Sequence, residues 1–285
     1  MYMACPPPIQ EIIDRRLFTI LSNFQRHRNS VESICMLRDL TYENGRIPDY
    51  SNELVREYYL LRYFYGYFAE YYFIFKQLFK EFQLCGPISI ASIGCGAGID
   101  YDALKTLKWN TTINYYGYDV VDWGFRNPKI SFNLMNVADI QLQNINILMF
   151  PKSLSEFSHE DFDSFVDSFN PSSLNNPFYV ISSTMKTGWE YDVKKIQCLE
   201  RKICNAGYIS CGDASTTYTP TANSCYELIS AICPNEVTEY LENIKDSCTI
   251  KTADCSVCQI NKSPILNAGH ICFQILRFTC DEGKT

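Results

Sequence analysis

Ile90-Ala91-Ser92-Ile93-Gly94-Cys95-Gly96-Ala97-Gly98-Ile99-Asp100 is the stretch that decides the fold. A short apolar run ends in three glycines, and a helix-compatible stretch, Asp100 to Leu107, follows. That pattern predicts a buried strand turning into a helix. Glycines at the turn permit a tight bend and let backbone approach a ligand closely. Free N–H groups at the helix start favour an anion or a polar ligand group. A dinucleotide fingerprint needs Gly-x-Gly-x-x-Gly, but here the third glycine comes one residue early and Ile99 holds its place. The spacing therefore speaks against a standard dinucleotide site.

Downstream, Ile113 to Tyr118 reads as a second strand, and Tyr116-Gly117-Tyr118-Asp119 closes it. Asp119 falls about twenty residues after the last glycine, where such folds place an acid that accepts two hydrogen bonds from a ribose diol. Loop and acid together point to a nucleoside ligand. Ile130 to Leu134, Ile145 to Phe150 and Phe178 to Ser182 read as further strands, with Tyr208 to Cys211 and Ile271 to Phe278 closing the set. Helix-compatible stretches at Ser155 to Phe169 and Asp192 to Asn205 lie between them. This alternation predicts a parallel α/β sheet with crossover helices.

Residues 1–83 read as a helical cap. Ile9 to Gln25 carries apolar residues at helical spacing, Val31 to Leu40 continues similarly, and Gly45, Pro48 and Asp49 form a break. Ser51 is then the expected N-cap of a long helix, Asn52 to Phe82, ending before Gly86-Pro87. The core, residues 84–285, is interrupted by a polar, Cys-containing insertion at about 213–269, with one helix expected from Asn235 to Ile244.

The 285 residues carry 46% hydrophobic and 20% charged side chains, ordinary for a folded protein, so disorder is not the dominant state. A formal net charge of −7 argues against a protein whose task is gripping a phosphate backbone. Fourteen cysteines are scattered irregularly, and Met1 to Gln10 shows no basic-then-apolar export pattern. The expectation is reduced thiols and a cytoplasmic location. The closest approach to a membrane span, Tyr58 to Phe79, contains Arg62, Glu70 and Lys76 and reads as a soluble helix.

With these residues in view, the chain resembles the class I S-adenosylmethionine-dependent methyltransferases over about residues 84–210 and 271–279. The resemblance implies a Rossmann-like α/β sheet, mostly parallel with the last strand antiparallel, and S-adenosyl-L-methionine as cofactor. It assigns cofactor contacts to Ser92, Gly94, Cys95, Gly96, Gly98 and Asp100 of the loop and to Asp119. It assigns adenine contacts to Val137, Ala138 and Asp139. The departure is Ser92, where the family usually has an acid that helps hold the methionine end; Asp100 is the substitute at hand. Lys152, Ser153 and Glu156, after the fourth strand, occupy the position that faces the transferring methyl and are the candidate catalytic residues. The amine-methylating motif Asp/Asn-Pro-Pro-aromatic is absent there. Asn176-Pro177-Phe178-Tyr179 looks like it but precedes the fifth strand, so it reads as a turn.

The long aromatic helix docks on the sheet by its apolar stripe. Because aromatics occupy more than one face, Tyr59, Tyr63 and Tyr67, at helical spacing, are candidates to line an acceptor pocket. Ser153 or Ser155 is also a candidate cap for the following helix. Cys255 and Cys258 form a CxxC pair with Cys248, His270 and Cys272 nearby, but one pair without a matched second leaves free thiols as the reading, with no metal. His27, His159 and His270 form no catalytic triad pattern. The expected function is methyl transfer to a small-molecule acceptor. The alternatives are a non-catalytic nucleoside-binding or scaffold protein of the same fold, or methylation of a protein or RNA.

Overall fold

A computed structural model describes residues 8–41, 48–82, 86–107, 111–185, 188–211, 224–244, 248, 260, 262–267 and 271–280. Two long helices come first, α1 (Ile9–Arg28) and α2 (Glu53–Phe82). Then come β1 (Ile88–Ile93), α3 (Ile99–Lys105), β2 (Ile113–Asp119), β3 (Ser131–Leu134), β4 (Ile147–Pro151), α4 (His159–Ser168), β5 (Phe178–Thr184), α5 (Trp189–Asn205) and β6 (Tyr208–Cys211). Two short helices, α6 (Cys225–Ile229) and α7 (Asn235–Glu242), precede β7 (Cys272–Cys280).

The described strands form one sheet in the order β3-β2-β1-β4-β5-β7-β6. β1 to β5 pair in parallel, and β7 runs antiparallel between β5 and β6. This is the Rossmann-like methyltransferase sheet, mostly parallel with the last strand antiparallel. The order reverses at β1, whose neighbours are β2 and β4. Ligands in open α/β sheets bind outside the strand C-termini at such a switch point. The glycine loop after β1 and the Pro151–Glu156 segment after β4 therefore flank one crevice.

Each face of the sheet buries its own apolar cluster. One joins Ile90, Ile147, Met149 and Tyr179 to α1, α2 and α3; the other joins Leu148, Phe150, Val180 and Phe278 to α4 and α5. The described parts of the insertion pack on α1 and α2. The Tyr65 hydroxyl donates to Ala231 O at 2.6 Å, and Ile265 N donates to Arg62 O at 2.9 Å. A Cβ on Gly66 would stand 2.8 Å from Ile265 Cγ2, so that crossing requires glycine. Among the described residues no helix is long and apolar enough to cross a membrane.

Local chemistry moves several boundaries. The helix expected over Val31 to Leu40 is a 3₁₀ segment, Cys35–Thr41, because the Ser33 hydroxyl captures the Cys35 N–H. α2 is capped by Asn52, whose side-chain Oδ1 accepts Leu54 N at 3.0 Å, whereas the Ser51 hydroxyl donates to Asp49 instead. The helix expected from Ser155 begins at His159, because Ser158 accepts Asp161 N at 3.0 Å and resets the start. Neither Ser153 nor Ser155 caps it. α6 was not expected. The Cys255–Cys258 pair and His270 lie outside the described residues.

Candidate active site

The glycine loop is held by its neighbours' backbone. Gly94 N and Cys95 N both donate to Tyr118 O, at 2.8 and 3.1 Å, which ties the end of β1 to the end of β2. Gly94, Gly96 and Gly98 all have φ between 54 and 71°, a region that L side chains avoid. A Cβ on Gly94 would collide with the Ser153 side chain, and one on Gly98 with Ile130. Gly96 has only Trp123 nearby, at 3.6 Å, and faces the crevice.

Asp119 closes the same loop from β2. Its carboxylate accepts Gly96 N at 2.8 Å and Val121 N at 2.9 Å. Burial pushes its pKa up, and those two N–H groups oppose the shift. A carboxylate has further lone pairs beyond these bonds, and Asp119 lines the crevice.

Ser92 and Asp100 sit beneath the loop and do not line the crevice. Both are at most 1% exposed. Asp100 accepts the Ser92 hydroxyl at 2.7 Å and the Tyr115 hydroxyl at 2.6 Å. Burial dominates its pKa and raises it to about 6 despite those donors. Cys95 turns its thiol inward, where Gly117 leaves room for it, and burial pushes that thiol well up, consistent with an inert packing role.

The crevice has a volume of about 460 Å³, within the range of small-molecule sites. At its β2–β3 end it is bordered by Asn136 and Val137. Ala138 and Asp139, on the same 3₁₀ turn, are not on the wall. Asn136 caps this turn by accepting Ala138 N at 3.0 Å.

The opposite wall comes from α2 and from the segment after β4. Tyr59, Tyr67 and Tyr71 face the crevice, whereas Tyr63 stacks on Tyr67 at a centroid distance of 5.3 Å without lining it. Trp123 completes an aromatic shelf, 5.2 Å from Tyr59 and 4.8 Å from Tyr50. Lys152, Ser153 and Glu156 all line the crevice. The Ser153 hydroxyl donates to Ile93 O at 2.6 Å, directly joining the β4 segment to the end of β1.

Lys152 is a non-glycine residue in the left-handed region, with φ 56°. Its backbone N–H donates to Ser183 O at 3.0 Å, and its ammonium reaches Glu70 Oε1 at 2.9 Å and Thr184 O at 3.2 Å. Both members of this ion pair have side chains only 6% exposed. Glu70 also accepts the Ser183 hydroxyl. The sequence reading missed Glu70, Tyr71 and Trp123. The signal available for Glu70 was a carboxylate within an aromatic run, with Tyr67 one turn before it and Tyr71 next to it.

No protein-family model matches the chain, and no curated protein does. Solved structures share its layout. One is the plantazolicin methyltransferase BpumL in complex with SAH, at 12% identity and a TM-score of 0.43, with 92% of this chain and 100% of that chain covered. Another is a TehB-like SAM-dependent methyltransferase from Corynebacterium glutamicum, at 10% identity and a TM-score of 0.40, covering 75% of this chain and 88% of that one. A third is a cyclopropane-fatty-acyl-phospholipid synthase-like protein from Lactobacillus casei, at 12% identity and a TM-score of 0.38, covering 75% and 90%. At such identities and TM-scores the fold rests on this chain's own strand order.

Proposed function

We propose that this chain is an S-adenosylmethionine-dependent methyltransferase acting on a small molecule. The observation that carries the proposal is Asp119 bonded to Gly96 N at the switch point, facing a crevice of nucleoside-accommodating size. The residues fit the cofactor. Gly96 presents bare backbone to the crevice, and Asp119 keeps acceptor capacity for a ribose diol. Asn136 and Val137 border the place for the adenine. When bound, the cofactor supplies an activated sulfonium methyl, so the chain's own task is alignment and exclusion of water.

α2 lines one side of the crevice with Tyr59, Tyr67 and Tyr71, which offer flat apolar surface to an acceptor. Lys152, Glu156 and Asp161 are charged groups lining the crevice on the acceptor side. Ser153 serves the loop, because its hydroxyl proton is committed to Ile93 O. The crevice volume of about 460 Å³ and the chain's net charge of −7 favour a small acceptor over a nucleic-acid polymer. The test is incubation with methyl-labelled S-adenosylmethionine and a small-molecule extract. Label should appear in the low-mass fraction, and label found only in protein or RNA would favour the polymer-directed alternative.

A further inference from the structure

A second cavity, about 720 Å³, lies between α1 and the segment joining β2 to β3, away from the crevice. Its wall carries five cationic side chains, Arg15, Arg16, Lys105, Arg126 and Lys129, against one carboxylate, Asp102. That carboxylate is already used: Arg16 Nε lies 2.9 Å from Asp102 Oδ2. Its two terminal nitrogens donate to the carbonyls of Phe125 and Ala97, so this pair staples α1 to the loop region and the guanidinium charge is already partnered. Arg126 is bonded to Asp122 at 2.8 Å and stacks over Phe132.

Arg15, Lys105 and Lys129 differ. They come from three separate elements, are exposed, and form no ion pair among the described residues. Asn23, Thr19 and Asn127 complete the wall with neutral polar groups. Holding like charges around one concavity is unfavourable unless a counter-charge enters, and a concave wall of one sign concentrates oppositely charged ligands. In a chain with formal charge −7, this local reversal of sign needs an account that solubility does not provide.

We propose that this cleft binds a small phosphate-bearing anion. Guanidinium and ammonium groups converging from several sides match the multiple oxygens of a phosphate. The bounded cleft and the acidic remainder of the protein favour a small molecule over a nucleic-acid strand, which needs an extended basic track.

The experiment is calorimetric titration of the whole protein with inorganic pyrophosphate and, separately, with a short single-stranded oligonucleotide. The variants are Arg15→Glu and the double variant Arg15→Glu with Lys129→Glu, both at exposed positions. Pyrophosphate should bind saturably, and affinity should fall by about tenfold or more in the double variant, with melting temperature unchanged. Raised salt should weaken binding in parallel. Absence of saturable heat overturns the proposal. So does binding that survives charge reversal, because the ligand would then sit elsewhere. An oligonucleotide that displaces pyrophosphate at lower concentration overturns the small-molecule assignment. The outcome is independent of whether S-adenosylmethionine binds.

Discussion

Lys152 Nζ lies 2.9 Å from Glu70 Oε1, and this contact joins the long helix α2 to the end of strand β4 at the wall of the candidate active site. Both partners are buried, the lysine backbone is left-handed, and Thr184 O and the Ser183 hydroxyl complete the set of bonds. Strained backbone of this kind persists only where the surroundings over-determine it. The pair ties α2 to the sheet beside Tyr67 and Tyr71, which line the crevice.

Breaking this pair from one side should be costly, because the other charge stays buried alone. Lys152→Met and Glu70→Gln should each destabilise the fold, the former by about 3 kcal/mol. The double variant should lose clearly less than the sum of the two. Urea unfolding of the four proteins in the cycle measures this, and additive losses would show that the two groups do not depend on each other.

Asp100 gives stability a distinctive pH dependence. Its folded-state pKa is raised by burial to about 6, whereas the unfolded chain releases the proton near pH 4. Between those values the folded state binds more protons, so stability falls as pH rises through that window and then levels off. The penalty at neutrality is on the order of 3 kcal/mol. Asp100→Asn removes the titration, so the variant should gain on the wild type from about pH 4 to pH 7. A stability difference that stays constant across that range would contradict the assignment.

Two glycines of one loop should respond differently to alanine. At Gly94 a methyl meets both an unfavourable φ and the Ser153 side chain; at Gly96 it meets the φ alone, with Trp123 at ordinary contact distance. Gly94→Ala should therefore cost about 2 kcal/mol or more, and Gly96→Ala about 1 kcal/mol. Thermal unfolding of the two variants compares them directly, and equal losses would remove Ser153 from its role as the loop's support.

The sheet was legible because strand, glycines, helix and a second strand ending in Asp119 follow a local pattern that survives without relatives. β1, β4 and β5 are short apolar runs buried on both faces and need no long-range information to be recognised, whereas β2 and β3, toward the sheet edge, are only partly buried. Helix starts were less legible, because Ser51 and Asn52, or Ser155 and Ser158, are chemically equal candidates until tertiary contacts choose. The place of Asp119 at the end of β2 could be anticipated from spacing, but its bond to Gly96 N could not. The Glu70–Lys152 pair could not, because its partners are 82 positions apart in the chain and meet only when α2 docks on the sheet. The demotion of Ser92 and Asp100 from the cavity wall to a buried brace likewise depends on Tyr115, a residue from the neighbouring strand.

The cysteines offer a separate check on the sequence reading. Among the described residues, Cys95, Cys198, Cys204, Cys211, Cys225, Cys233 and Cys280 are free thiols. Alkylation under non-reducing conditions, followed by mass spectrometry, should label the exposed Cys211 and Cys280 first and buried Cys95 and Cys225 only after unfolding. Labelling of Cys95 at the same rate as Cys211 would contradict its placement beneath the loop.

The most direct measurement is calorimetric titration with S-adenosylmethionine and with its demethylated product, using the wild type and Asp119→Ala. The wild type should bind with micromolar-range affinity, about −8 kcal/mol. Asp119→Ala should weaken binding by about 1–3 kcal/mol, since it removes a charged acceptor of the ribose and loosens Gly96. Absence of binding by either compound, or equal binding by wild type and variant, would contradict the account.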